Sequence, residues 1–207
     1  MKSLFKSFFR SDELKSEEGL NHVSALKVGD LIEVDNDFSL PSILRGNTFQ
    51  VALRALYEYE GEEEIEWALK GDDGTTVFLS YDSDDGDETV SFARKLTPVE
   101  VEGLFNLDEF ATIFDDEHSA VLTDVVATEK FSGWLGTKYL RTEYAEPGYY
   151  HKSGELCGEG EPFDYFSLVS DCGNFNLNIE VWEGGETDVS ISISRPLSII
   201  KNYWGHK

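Results

Sequence analysis

The run Phe175-Asn-Leu-Asn-Ile-Glu-Val-Trp182 alternates apolar and polar side chains, and Val189-Ser-Ile-Ser-Ile-Ser194 does so again after the Gly184-Gly185 pair. Successive strand residues point to opposite faces, so strict period-two patterning predicts a hairpin with one buried face and one wet face. The wet face is Asn and Ser, and it reads as a solvated sheet surface rather than a site.

The first half of the chain carries a similar pattern. Asp73-Gly74, Leu79-Ser-Tyr-Asp82 and Gly86-Asp-Glu-Thr-Val-Ser-Phe92 precede Cys172-Gly173, Leu177-Asn-Ile-Glu180 and Gly184-Gly-Glu-Thr-Asp-Val-Ser-Ile191 in the same order. Upstream, Glu66-Trp67 stands where Asp164-Tyr165 stands in the second half. The order predicts a duplicated β-unit with a period too long for a solenoid. Leu26–Asp35 reads as strand, Gly-Asp turn, strand. Phe49–Tyr59 reads as one strand with Phe49, Val51, Leu53, Ala55, Tyr57 and Tyr59 on a common face. Thr97-Pro98 is a helix start, an N-cap followed by Pro at the first helical position, and opens one or two short helices. Phe131–Gly136 and Tyr144–Tyr150 fit exposed loops, with Trp134, Tyr149 and Tyr150 as a candidate surface site. The expected fold is mainly β. It has two related small antiparallel units, barrel- or sandwich-like, at 22–97 and 120–207. A helical connector at 98–119 joins them, and a basic amphipathic helix with a charged linker occupies 1–21.

The chain has 207 residues, 17 basic and 41 acidic, for a net charge of −24. Such a body repels phosphate, which argues against nucleic-acid binding. Residues 1–10 differ, with Lys2, Lys6 and Arg10 spaced four apart and Leu4, Phe5, Phe8 and Phe9 on the opposite helical face. This +3 segment reads as a docking helix for a partner or membrane surface, or as a helix folded back on the acidic body. No signal-peptide pattern or membrane-spanning run is read, so the expected compartment is the cytoplasm, peripheral to the inner membrane face.

Motifs for chemistry are sparse. There is no Gly-x-Ser-x-Gly and no phosphate-cradling glycine motif. His22, His118, His151 and His206 are scattered and read as surface histidines, and Cys157 and Cys172 lack Cys-x-x-Cys spacing. Asp82, Asp84, Asp85, Asp87 and Glu88 crowd one turn and are weak calcium candidates, without the order of a helix–loop–helix calcium site. No catalytic residue, resident metal or cofactor is assigned, and the chain is not expected to be an enzyme.

Leu26-Lys-Val-Gly-Asp30, Leu56-Tyr-Glu-Tyr59, Glu66-Trp-Ala-Leu69, Phe78-Leu-Ser80, Phe163-Asp-Tyr165, Leu177–Trp182 and Pro196-Leu-Ser-Ile199 together resemble the bacterial Domain of Unknown Function 4178 family, over about residues 25–203. The resemblance implies a two-copy β-rich domain without a catalytic assignment, and an accessory role near membrane-stress and small membrane proteins. The leading expectation is therefore a non-enzymatic accessory or adaptor protein with a protein partner. The alternatives are an acidic decoy of a basic, nucleic-acid-binding protein, and a small ligand binder using the aromatic loops.

Overall fold

The computed structural model describes residues 20–60, 62–84, 86–117, 119–156 and 158–206. The expected N-terminal helix, with Lys2, Leu4, Phe5, Lys6, Phe8, Phe9 and Arg10, lies outside the described residues. The described chain is mainly β, with 52% strand and 13% helix. Its strands are β1 (Leu31–Val34), β2 (Thr48–Tyr59), β3 (Glu62–Gly71), β4 (Thr76–Asp84), β5 (Asp87–Leu96), β6 (Val121–Leu122), β7 (Tyr139–His151), β8 (Glu161–Ser170), β9 (Phe175–Trp182), β10 (Thr187–Pro196) and β11 (Ile200–Trp204). Two helices, α1 (Pro98–Leu104) and α2 (Leu107–Ala111), follow β5.

All eleven strands belong to one antiparallel sheet, in the order β11-β1-β2-β3-β4-β5-β10-β9-β8-β7-β6. A further pairing of β2 with β7, at Leu56–Glu58 against Tyr149–His151, returns the order to its start. Eight strands, β2-β3-β4-β5-β10-β9-β8-β7, thus form a closed ring of pairings. The two halves are not separate sheets, because β5 and β10 pair along eight residues, from Leu96–Val189 to Thr89–Pro196. A four-stranded unit alone would leave both edge strands with unpaired backbone groups, and this pairing satisfies one edge of each unit. Away from the β2–β7 contact, β2 pairs with β1 and β7 with β6.

The faces of these strands differ in chemistry. Trp67, Leu69, Val77, Leu79, Val90, Phe92, Leu177, Ile179, Ile191 and Ile193 lie on one face and are almost completely buried. They join one apolar cluster with Ile32 and Val34 of β1, Leu40 and Leu44 of the following loop, Val101 and Leu104 of α1, and Phe131 and Trp134. The Trp67 indole N–H donates to the Leu26 carbonyl at 3.3 Å, which satisfies the polar atom of a fully buried ring. Thr97 and Glu100 form a reciprocal capping box at the start of α1, which fixes where the connector turns helical.

Several local expectations change. Leu26–Gly29 is a turn rather than a strand, tied by the Asp30 carboxylate accepting from Lys27 N–H. A bulge between Val51 and Leu53 breaks the alternation of β2. Phe49 and Val51 therefore share the face of Leu69, while Leu53, Ala55, Tyr57 and Tyr59 share the face of Glu66. Tyr144–Tyr150 is not a loop but the core of β7. The match of Trp67 with Tyr165 is out of phase, since Trp67 pairs with Leu79 on the apolar face while Tyr165 pairs with Glu180 on the polar one. A one-residue slip in register exchanges the faces of a strand.

Candidate binding lumen

The alternating Ser and Asn residues are half-buried or buried rather than exposed. Tyr57 and Tyr59 (β2), Glu64 and Glu66 (β3), Phe78 and Ser80 (β4), Ser91 and Ala93 (β5), Ser190 and Ser192 (β10), Asn178 and Glu180 (β9), and Tyr165 and Ser167 (β8) line one cavity of about 270 Å³. Seven of the eight ring strands contribute to it, so the polar face is the inside of the ring. A second cavity of about 480 Å³ shares Tyr57, Glu66 and Phe78 with it and continues to Lys95, Tyr150, Trp182 and Asp188. Alternation reports that a strand has two faces but not which of them the sheet curves around, so the polar face reads from sequence as ordinary surface.

The lumen wall is asymmetric. On the side where β2, β7, β8 and β9 meet, aromatic rings pack together. Tyr57 lies 5.1 Å from Tyr150 and 5.7 Å from Phe163, Tyr59 lies 5.5 Å from Tyr165, and Phe163 lies 5.1 Å from Trp182, measured between ring centroids. Gly148 makes room for this packing, because a Cβ there would run into the Phe163 ring. The β4, β5 and β10 side is mostly small and polar, with Ser80, Ser91, Ser190 and Ser192 beside Ala93 and the single ring of Phe78.

Carboxylates stand on opposed walls. Burial raises the Glu66 carboxyl to about 8, with Glu180 adding to the rise and Lys95 opposing it. Burial likewise raises Glu180 to about 7, against the pull of Lys95 and of the Tyr57 hydroxyl across the lumen. β3 and β9 are diametrically opposed in the ring, so the effect of Glu180 on Glu66 runs through the lumen. Glu64 is exposed at the rim, yet desolvation raises its carboxyl, with Asp82 and Glu62 adding to the rise and the Ser80 hydroxyl opposing it. Glu180 Oε2 is sealed from solvent and has no hydrogen-bond partner among the described residues. At the wider end, Lys95 Nζ meets Asp188 at 2.6 Å and stands 5.4 Å from the Phe78 ring centroid. Burial works against its charge, yet Asp188, Glu180 and Glu66 hold the lysine above its ordinary range.

The residues singled out from sequence are placed differently. Trp134 is 1% exposed and belongs to the apolar cluster, so it is no surface site. Its neighbour Gly133 takes φ +79 and packs closely against the Pro41 backbone. Tyr149 and Tyr150 are successive strand residues with opposite directions: Tyr149 is exposed, and Tyr150 lines the lumen. The acidic turn is the tip of the β4–β5 hairpin, where Asp84 pairs with Asp87. Glu88 accepts from the Tyr81 hydroxyl at 2.7 Å and contacts His22 Nε2 at 2.9 Å, while Asp85 lies outside the described residues. Among the described residues no three His, Cys, Asp or Glu side chains are grouped to hold a metal.

His151 is not a surface histidine, since it is 6% exposed and its Nε2 lies 3.0 Å from Glu58 at the β2–β7 contact. Ser24, His22 and Glu88 form a hydrogen-bonded series at an exposed position, in which His22 Nδ1 caps the 3-10 turn Val23–Ala25. His118 and Cys157 lie outside the described residues, and Cys172 is exposed and free.

The lumen residues were missed although the sequence carries a signal for them. Glu180 and Trp182 stand in phase with Asn176 and Asn178, and Tyr57 and Tyr59 interrupt an otherwise apolar strand. No helix among the described residues is long and apolar enough to cross a membrane.

No protein-family model and no solved structure matches the chain. An uncharacterised protein of Aquifex aeolicus (strain VF5) is 31% identical over 99 residues, which cover 47% of this chain and 48% of that protein. The chain therefore spans about half the length of the curated relative it matches.

Proposed function

We propose that the protein is a non-enzymatic binding module that holds a small molecule inside its ring of strands. The observation that carries this is the shared cavity lined by inward side chains from seven strands, aromatic on one side and mostly small and polar on the other. Concave sites with aromatic walls and a few placed polar groups are the usual form of small-molecule sites, and ring-shaped sheets commonly place them inside. This reading takes the ligand-binding alternative above the adaptor one, and moves its site from the surface loops to the lumen. On the same reading the β-halves, at 22–97 and 120–207, are copies of one unit joined by the 98–119 connector. The basic 1–10 segment serves to dock the loaded module on a partner or at a membrane face.

A thermal-shift screen across chemically mixed small molecules tests the binding reading, with Ser190→Phe as the blocked control. Ser190 lines the inner cavity, and a phenyl group there obstructs it. At least one compound should raise the melting temperature of the wild type and not of the variant. Equal responses in both proteins for every compound would end the reading.

A further inference from the structure

We infer that the lumen takes a small organic cation, with a primary ammonium group held between Glu66 and Glu180 and its alkyl part against the tyrosine wall. This rests on the small-molecule reading above and specifies the ligand's chemistry.

Three observations converge on it. First, the inner cavity is lined by Glu64, Glu66 and Glu180 and by no lysine or arginine. Glu66 and Glu180 are largely desolvated, and a carboxylate drawn from water requires a counter-charge or donors, which Lys95 and the Tyr57 hydroxyl supply only in part, since both carboxyls stay above their ordinary range. Second, Glu180 Oε2 is a sealed acceptor with no donor among the described residues. A ligand N–H group satisfies it, whereas a tetraalkyl cation does not. Third, the protein's own ammonium shows how this environment holds a cation. Lys95 stands between the Asp188 carboxylate and the Phe78 ring at the wider end of the same lumen. A carboxylate on one side and an aromatic face on the other stabilise an alkylammonium ion by charge and by ring quadrupole. Deeper in, Tyr57 and Glu180 repeat that pairing, and the cation that the protein itself brings to bear on Glu180 is Lys95, from the wider end. A hard metal ion is disfavoured because it requires several converging oxygens, and among the described residues no three His, Cys, Asp or Glu side chains are grouped to converge on one.

The test uses the 207-residue chain and follows its tryptophan fluorescence and isothermal titration with n-butylammonium, 1-butanol and calcium as probes. The expected result is saturable binding of butylammonium, with the neutral isostere weaker by about tenfold or more, as loss of a charge-assisted hydrogen bond implies. Glu180→Gln and Glu66→Gln should each weaken butylammonium by a similar factor. Tyr57→Leu, which keeps the charge, should weaken it less and serves as a second variant if either Gln substitution fails to fold. Binding should strengthen between pH 6 and 9 as Glu66 and Glu180 ionise, in the field of Glu64, Asp188 and Lys95. Butylammonium itself stays charged over that range.

If 1-butanol or calcium binds as well as butylammonium, or if neither Gln variant changes the affinity, the cation assignment is overturned and the lumen remains a binding site of another class. If none of the probes binds, the assignment also fails. The screen against Ser190→Phe then decides separately whether the lumen binds anything.

Discussion

The strands β3, β4, β5, β9 and β10 present two faces that obey different rules. Toward the connector helices and loops they show Trp67, Leu79, Phe92, Ile179 and Ile193, sealed and close-packed. Toward the lumen they show Glu66, Ser80, Ser91, Glu180 and Ser192, around open space. In a conventional filled ring the interior is the core. Here the core lies on the opposite side of the sheet, held by segments outside the ring, and this frees the interior for polar groups and a cavity. The comparison teaches that the stability of the fold and the chemistry of its site are carried by alternate residues of the same strands.

The largest expected effect comes from the sealed face. Trp67→Ala should cost about 3–5 kcal/mol, because it empties a fully buried site and strands the Leu26 carbonyl, and urea denaturation measures it. A loss below about 1 kcal/mol would mean that the apolar face is not the core. Next is an exception on the lumen side. Gly148→Ala should destabilise by about 1–3 kcal/mol by forcing the Phe163 ring from the aromatic cluster. A neutral outcome would show that the aromatic wall is loosely packed.

The third effect is a pH dependence. Glu66 and Glu180 titrate near 8 and 7 in the folded protein, above the ordinary 4.5, so folding favours their protonated forms. Their contribution to stability is complete below about pH 4.5 and is lost as pH rises through 7 to 8. Glu66→Gln should therefore flatten the fall in melting temperature between pH 6 and 9. At pH 8.5 it should melt about 2–4 °C above the wild type by calorimetry. A lower melting temperature at pH 8.5 would indicate that Glu66 is stabilised by its neighbours rather than strained by them. The smallest effect belongs to Ser190→Phe. Enlarging a lumen residue should change stability by less than about 1 kcal/mol, since the cavity has room, whereas an equal enlargement on the sealed face would overpack.

Much of the strand content was legible because alternation over Phe175–Trp182 and Val189–Ser194 is a local property. The α1 start was legible for the same reason, since Thr97, Pro98 and Glu100 act within one turn. The bulge at Val51–Leu53 was not, because it is the partner strand that decides where an extra residue is absorbed. The fate of Trp134 and Tyr150 was equally hidden. Aromatic residues near Gly and Pro suit exposed loops by composition, yet one fills the core and the other lines the lumen.

The sequence by itself determined that the chain makes antiparallel hairpins, which residues of β9 and β10 share a strand face, and that the body is acidic. These follow from side-chain period, turn chemistry and charge count. The tertiary structure decided that β5 meets β10 and β2 meets β7, and therefore which face is concave. Ring closure depends on pairings between residues about a hundred positions apart. That closure turned a row of serines, asparagines and glutamates from sheet surface into the wall of a lumen.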